Sequence, residues 1–346
     1  MGTIMGSVRR YTVLVTIAGL LILSGCTAQQ ARRFSHALRD AGIQQYLDRA
    51  VAFMVTEYAN EKESVMAIRE PQGYGDVVGR WFTKATVLDR ADGTVSITFS
   101  GPGYRGHPEA SNVMFKATST CVYKPEVQID ENYAYVTFTP QAEPQLSFEV
   151  FRITAMAEWG NTPVHRQEAT EQGSIQFLAI LRQGFTVAMN RNLETETWVG
   201  IGPRQRAPVK PYWVVPGEHD IANDSFQVRE DGIDLVGPIH LEPGDTLRLD
   251  VCTQASWGMD CYLMDDANAR AVLANHVDRD NNPLSNCTCI FKNESTKQWQ
   301  QVFTAQGRTV VWLLIDNRDG GGSSPPANFS DDIVSGTLYL GVAHPK

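Results

Sequence analysis

Four of the six cysteines, Cys252, Cys261, Cys287 and Cys289, fall within 38 positions of one another, with intervals of x8, x25 and x1. Such a cluster suits two chemistries. Outside the reducing cytoplasm thiols pair as disulfides, whereas four thiolates around a tetrahedral ion make a zinc site. Zinc sites of that kind use Cys-x2-Cys knuckles, which are absent here, so the cluster is read as two disulfides. Cys287 and Cys289 flank Thr288 and on a strand would share a face. Their expected partners are therefore Cys252 and Cys261 rather than each other. Cys121, in "TSTCVYK", is read as a buried free thiol.

The remaining candidates for chemistry are weaker. "DRDNNPLSN" places Asp278, Asp280 and Asn282 at alternate positions, as calcium loops do. Pro283 stands where an EF-hand needs glycine and Cys289 where it needs glutamate, which leaves a solvated turn or a looser calcium loop. "GPGYRG", from Gly101 to Gly106, matches G-x-G-x-x-G. A dinucleotide site needs that motif to open a helix, and the surrounding prolines and strand pattern predict a loop. Glu218-His219-Asp220 reads as a solvated turn. The seven histidines are scattered, and H-E-x-x-H, G-x-S-x-G and G-x4-G-K-[ST] are absent. Of the tryptophans, Trp81, Trp198 and Trp312 sit in strand patterns and are expected in the core. Trp257 and Trp299 lie near loops and are the two to test for stacking on a ligand. No catalytic residue, metal or cofactor is assigned.

The first 26 residues carry a different chemistry. Arg9 and Arg10 precede a short apolar core, Val13–Leu23, which falls below the roughly 20 residues of a membrane-spanning helix. Charge, short core and small residues in that order are those of a cleaved secretory signal. Leu23-Ser24-Gly25-Cys26 resembles the lipobox of bacterial lipoproteins. The resemblance implies cleavage before Cys26, a diacylglycerol on its thiol, and a membrane anchor of two or three acyl chains. One chain holds a protein only marginally, so two or more are what stable attachment requires. Thr27 stands where inner-membrane lipoproteins of Gram-negative bacteria favour aspartate, which implies the outer membrane or the cell surface.

The elements that must carry these residues are mainly strands. Removing 25 residues leaves 321, enough for two domains, and shifts the net charge from −9 to −11 because two arginines and no acids are lost. So acidic a chain has no electrostatic footprint for nucleic acid. Residues 30–68 read as an amphipathic helix through Ile43, Leu47, Ala50, Val51, Met54 and Tyr58. Its polar face mixes signs, which favours packing on the next domain over lying on a membrane. From Gly79 the period changes to two. "GRWFTKATVL" and "TVSITFS" about Asp92-Gly93 predict one hairpin, and "EVQI" with "YAYVTFT" a second. "QLSFEVFRITAMAEW", "SIQFLAILRQ" and "FTVAMN" extend the strand pattern to about residue 200.

The expected organisation is a signal peptide (1–25), a lipidated tether (26–29), an α+β domain with a helix on an antiparallel sheet (30–205), a proline-rich linker (206–222) and a helix-free β-sandwich or jelly roll (223–346). In the last part, "LEPGDTLRLDV", "DCYLMDDANAR" and "RTVVWLLIDNRD" are similar to bacterial pre-peptidase C-terminal and GOLD-like sandwich domains. The functional expectation is a membrane-anchored envelope lipoprotein that binds a partner (another envelope protein, a polysaccharide or a host ligand) without catalysis. The alternative is a hydrolase, or an accessory subunit of a secreted peptidase or glycan-degrading system, which the pre-peptidase resemblance implies.

Overall fold

The computed structural model describes residues 63–70, 75–89, 94–107, 110–129, 133–154, 161–190, 195–199, 218–278, 288–318, 325 and 332–345. Cys26, Cys287, Asp280, Asn282 and most of the 30–68 and 206–222 segments lie outside them. The described chain is mainly β. Its strands are β1 (Glu63–Arg69), β2 (Val77–Asp89), β3 (Val95–His107), β4 (Ala110–Ile129), β5 (Tyr133–Pro140), β6 (Gln145–Thr154), β7 (Phe185–Asn190) and β8 (Thr195–Val199) in the first half. The second half has β9 (Glu218–Val228), β10 (Gly232–Leu241), β11 (Thr246–Thr253), β12 (Met259–Asp265), β13 (Cys289–Thr296), β14 (Gln298–Thr304), β15 (Thr309–Asn317) and β16 (Val334–Ala343). Two helices interrupt them, α1 (Pro163–Leu181) and α2 (Asp266–Asp278).

Twelve strands form one sheet in the order β14-β11-β16-β9-β2-β3-β4-β5-β7-β8, with β1 beside β2 and β6 beside β4. The other four form a second sheet, β10-β15-β12-β13. Both expected hairpins are present: β2 pairs antiparallel with β3 from Asp89–Val95 outward, and β4 with β5 from Ile129–Ala134. Between the halves the long sheet is joined at one point, where Val77 of β2 meets Phe226 of β9 in parallel. Residues 218–222, expected in the linker, begin β9.

Period-two burial explains the second sheet. In β15 every residue from Val311 to Ile315 is buried. Val311, Leu313 and Ile315 face a core shared with Leu247, Leu249, Val251, Leu338 and Leu340 of the long sheet. Trp312 and Leu314 face the other way, into a cluster with Tyr104 and Met114 of the first half and Ala269 and Val272 of α2. A strand covered on both faces reads as an unbroken apolar run, here "VVWLLI". In β10 a register shift between Val236 and Ile239 reverses the alternation. Before it Ile233 and Leu235 join the Tyr104 cluster; after it Ile239 and Leu241 face the long sheet.

Four expectations about elements are corrected. Glu63–Ile68, the end of the expected N-terminal helix, are strand β1. "SIQFLAILRQ" lies in α1 and not in a strand: Ile175, Phe177, Ala179 and Leu181 alternate, but only Phe177 and Leu181, one helical turn apart, are buried, and Ile175 is exposed. The deciding signals are local. Thr162 caps α1 by accepting from the His165 amide, Pro163 takes the first helical position, and Gly184 at φ +68° ends the turn. "AVLANHV", in the part expected to be helix-free, is likewise the end of α2, begun by Asp265, whose carboxylate accepts from the Asn268 amide, with Ala269, Val272 and His276 on its buried face. Finally, Gly101–Gly106 are part of β3, not a loop. No helix follows; Gly103 leaves room for the Phe115 ring of β4.

Candidate functional site

A cluster of buried titratable side chains lies on the seam between the two halves. β2 alternates Trp81, facing the first-half core, with Arg80 on the seam side. Arg80 donates twice to Asp234 of β10, Nε to Oδ1 at 2.5 Å and Nη2 to Oδ2 at 2.8 Å, with both residues buried. Next to this pair the Tyr104 hydroxyl accepts from the Leu235 amide at 2.8 Å. The Tyr104 ring meets His276 of α2 edge-on, with centroids 5.3 Å apart. At the margin Arg69 donates to Asp224 at 2.7 Å and Gln227 to Asp76 at 2.7 Å, again joining first half to second.

The electrostatics follow from closure. Burial opposes the charge on Arg80, but the Asp234 carboxylate and its hydrogen bonds outweigh it and the pKa rises. Burial, reinforced by the Asp234 charge, pushes Tyr104 well above the usual phenol range. Burial, with Arg318 and Arg152 nearby, holds His276 well below the usual imidazole range, so it is neutral at pH 7. A tyrosine, a histidine, a carboxylate and a guanidinium are the parts of an acid–base site. Here Arg80 and Asp234 bind each other, the Tyr104 hydroxyl takes the Leu235 amide and His276 Nε2 has no hydrogen-bond partner among the described residues, with each of the four at least nine-tenths buried.

Two smaller polar groups flank the seam. On the second sheet Asp260 of β12 stands opposite Asp316 of β15. Arg318 binds Asp316 through two 2.6 Å bonds, and Asp260 accepts from the Ser295 amide at 2.7 Å, holding that residue at φ +54°. Burial, with Asp260 beside it, raises the Asp316 carboxyl against the pull of Arg318. On the outer face of the long sheet Glu218 takes both prongs of Arg248, at 3.0 and 2.6 Å. Arg248 lies over the Tyr339 ring, whose hydroxyl donates to Asp220 at 2.9 Å. The expected solvated turn at 218–220 is thus a strand carrying an ion pair. Alternation brings Glu218 and Asp220 to one face, where Arg248 and Tyr339 from neighbouring strands meet them.

An apolar cavity of ≈30 Å³ is lined by Met66, Ile68, Trp81, Phe99, Phe177 and Phe185. Pockets for small ligands run to about 300–1,000 Å³, and a cleft so lined stays dry.

Among the described residues no disulfide is present, and Cys252 and Cys261 are free thiols. Cys252 is on the long sheet and Cys261 on the second, while Cys261 faces Asn293 and Cys289 faces Met264, too far along the β12–β13 ladder for Cys261 and Cys289 to bond. The fourth member, Cys287, lies outside the described residues. Cys121 is buried and free, as expected. Among the described residues no three His, Cys, Asp or Glu side chains are grouped to hold a metal ion; Asp278 ends α2, and Asp280 and Asn282 lie outside. Trp81 and Trp312 are core residues. Trp299 is too, which removes it as a stacking platform; Trp257 is half-buried and its indole donates to Asn317 at 3.4 Å.

Sequence reasoning passed over Arg80, Tyr104, Asp234 and His276. The available signal was a charge inside an apolar strand, "IDLVG" and "GRWF": a charge so placed requires a buried partner. Which partner it finds, 154 positions away, only the fold decides.

No protein-family model matches this chain, and no curated protein matches it. Among solved structures, the SMP and C2 domains of extended synaptotagmin 2 align over 92% of this chain and 69% of their own at 8% identity, with a TM-score of 0.13. A GH32 beta-fructofuranosidase from Bombyx mori aligns over 80% of this chain and 67% of its own at 6% identity, with a TM-score of 0.11. At such scores neither likeness bears on fold or function.

Proposed function

We propose that this chain is a bacterial envelope lipoprotein, anchored through acyl chains on Cys26 and presenting a β-rich body that binds a partner without catalysis. The observation that carries the anchor is the order Arg9-Arg10, a short apolar core and Leu23-Ser24-Gly25-Cys26. In support of a binding role, Arg80 with Asp234 and Arg69 with Asp224 form ion pairs that tie the halves together, and Tyr104 and His276 are buried beside the first of them. In this reading the part from Glu218 onward is a β-sandwich of the pre-peptidase or GOLD-like kind, supported by the core that the two sheets share. The first half is an antiparallel sheet bearing α1, supported by Phe177 and Leu181 in its core. The partner is an envelope protein or a polysaccharide at the outer membrane or cell surface.

The test is fractionation of cells expressing the chain or its Cys26→Ala variant, with intact mass of the purified protein. The reading expects a mature chain beginning at an acylated Cys26 in the membrane fraction, and release of the variant. A variant as membrane-bound as the parent would falsify the anchor.

A further inference from the structure

We propose that β14 is a self-association edge, pairing antiparallel with β14 of a second copy of this chain about a two-fold axis at Gln301. β14 ends the long sheet and, among the described residues, pairs with β11 alone, in an unbroken register from Cys252–Gln298 to Thr246–Thr304. Edge strands are normally protected by lysine, proline or a bulge. "QWQQVFT" has no charge and no proline, the register has no bulge, and Val302 is 54% exposed.

The hydrogen bonds show which backbone groups face outward. The Thr253 amide donates to the Lys297 carbonyl, the Ala305 amide to that of Asp245, and the Gly244 amide to that of Ala305. Odd-numbered residues therefore aim their backbone groups at β11, and Gln298, Gln300, Val302 and Thr304 aim theirs at the open edge. Three outward carbonyls confirm the direction by accepting from nearby side chains: Gln298 from Thr296, Val302 from Gln301 and Thr304 from Gln306. Each keeps a second lone pair for a partner strand.

A second copy fits this edge in one favoured register. With Gln301 opposite Gln301, Gln300 meets Val302 and Gln298 meets Thr304, all with outward backbone groups. Each such pair exchanges two bonds, about eight in all once the Gln298 amide exchanges Thr296 Oγ1, 3.3 Å away, for the partner strand. On the inner face the same register sets Trp299 opposite Phe303, carrying the aromatic core across the axis, while a shift by two residues in either direction shortens the ladder and sets an aromatic against Gln301. The formal charge of −9 does not oppose contact here, because the strand itself is neutral.

Analytical ultracentrifugation of the full chain tests this, with non-reducing gels of cysteine variants. A single strand pair is at the small end of interface sizes, so a monomer–dimer equilibrium is expected at roughly 10–100 μM. Val302→Lys, at an exposed position, should keep the parent's circular dichroism and raise the dimer dissociation constant at least tenfold. Under mild oxidation Gln301→Cys should form a covalent dimer above the parent's background, and Gln300→Cys should not. A chain monomeric throughout this range overturns the proposal, even if it takes up an extended foreign peptide. So does a Val302→Lys variant that dimerises like the parent, or cross-linking at position 300 equal to that at 301.

Discussion

Removing the Asp234 carboxylate should destabilise both halves of the molecule at once. In Asp234→Ala the Arg80 guanidinium remains buried with its Nε and Nη2 donors unmet. Breaking a buried pair by deleting one partner costs about 3–5 kcal/mol, because the survivor is an uncompensated charge. Domain stabilities run from about 5 to 15 kcal/mol, so the loss is a large fraction of the whole. Replacing both partners by apolar residues, Arg80→Met with Asp234→Leu, removes the stranded charge and should recover most of the loss. Urea unfolding followed by tryptophan fluorescence and far-UV circular dichroism gives the free energies. Hydrogen exchange read by mass spectrometry shows where protection is lost. Since Arg80 lies in β2 and Asp234 in β10, amides of β3 and β15 should lose protection together. A single variant that loses less than about 1 kcal/mol, or a double variant as unstable as the single, would refute a seam held by this ion pair.

Two further outcomes follow from the same interior. His276 is faced by Tyr104 from β3, Arg152 from β6 and Arg318 after β15, with Asp316 and Asp260 behind Arg318. Its folded pKa lies below the unfolded value of about 6.5, so the unfolded chain takes the proton first and stability falls as the pH drops below that value, by about 1.4 kcal/mol per unit. Asp316, raised by burial, contributes with the opposite sign in its own range. His276→Gln should flatten the slope in urea titrations between about pH 5 and 7, and an unchanged slope would exclude His276 as its source. Among the thiols, burial beside Asp260 and Asp316 pushes Cys261 far up, while Cys252 and Cys289 are half-buried. Native alkylation should label Cys252 well before Cys261; equal rates would show that β12 is not closed.

What the sequence determined by itself was the mainly β character, the two hairpins of the first half and the runs that become buried strands. These depend on neighbours in the chain: alternation sets which side chains share a face, and a turn a few residues long sets the pairing of β2 with β3 and β4 with β5. Short segments were harder. The alternating apolar residues of 174–183 suit a strand as well as one stripe of a helix, and the cap at Thr162-Pro163 carried the distinction. Everything involving distant positions was decided by tertiary structure. Nothing near Arg80 in the sequence identifies Asp234 as its partner, and nothing near Glu218 identifies Arg248 or Tyr339. Those contacts arise because β9 lies between β2 and β16, and β10 beneath them, a strand order with no local signature. The cysteine cluster is the same lesson in reverse. Closeness along the chain suggested that Cys261 could reach Cys289, but the β12–β13 ladder sets Cys261 opposite Asn293 and Cys289 opposite Met264.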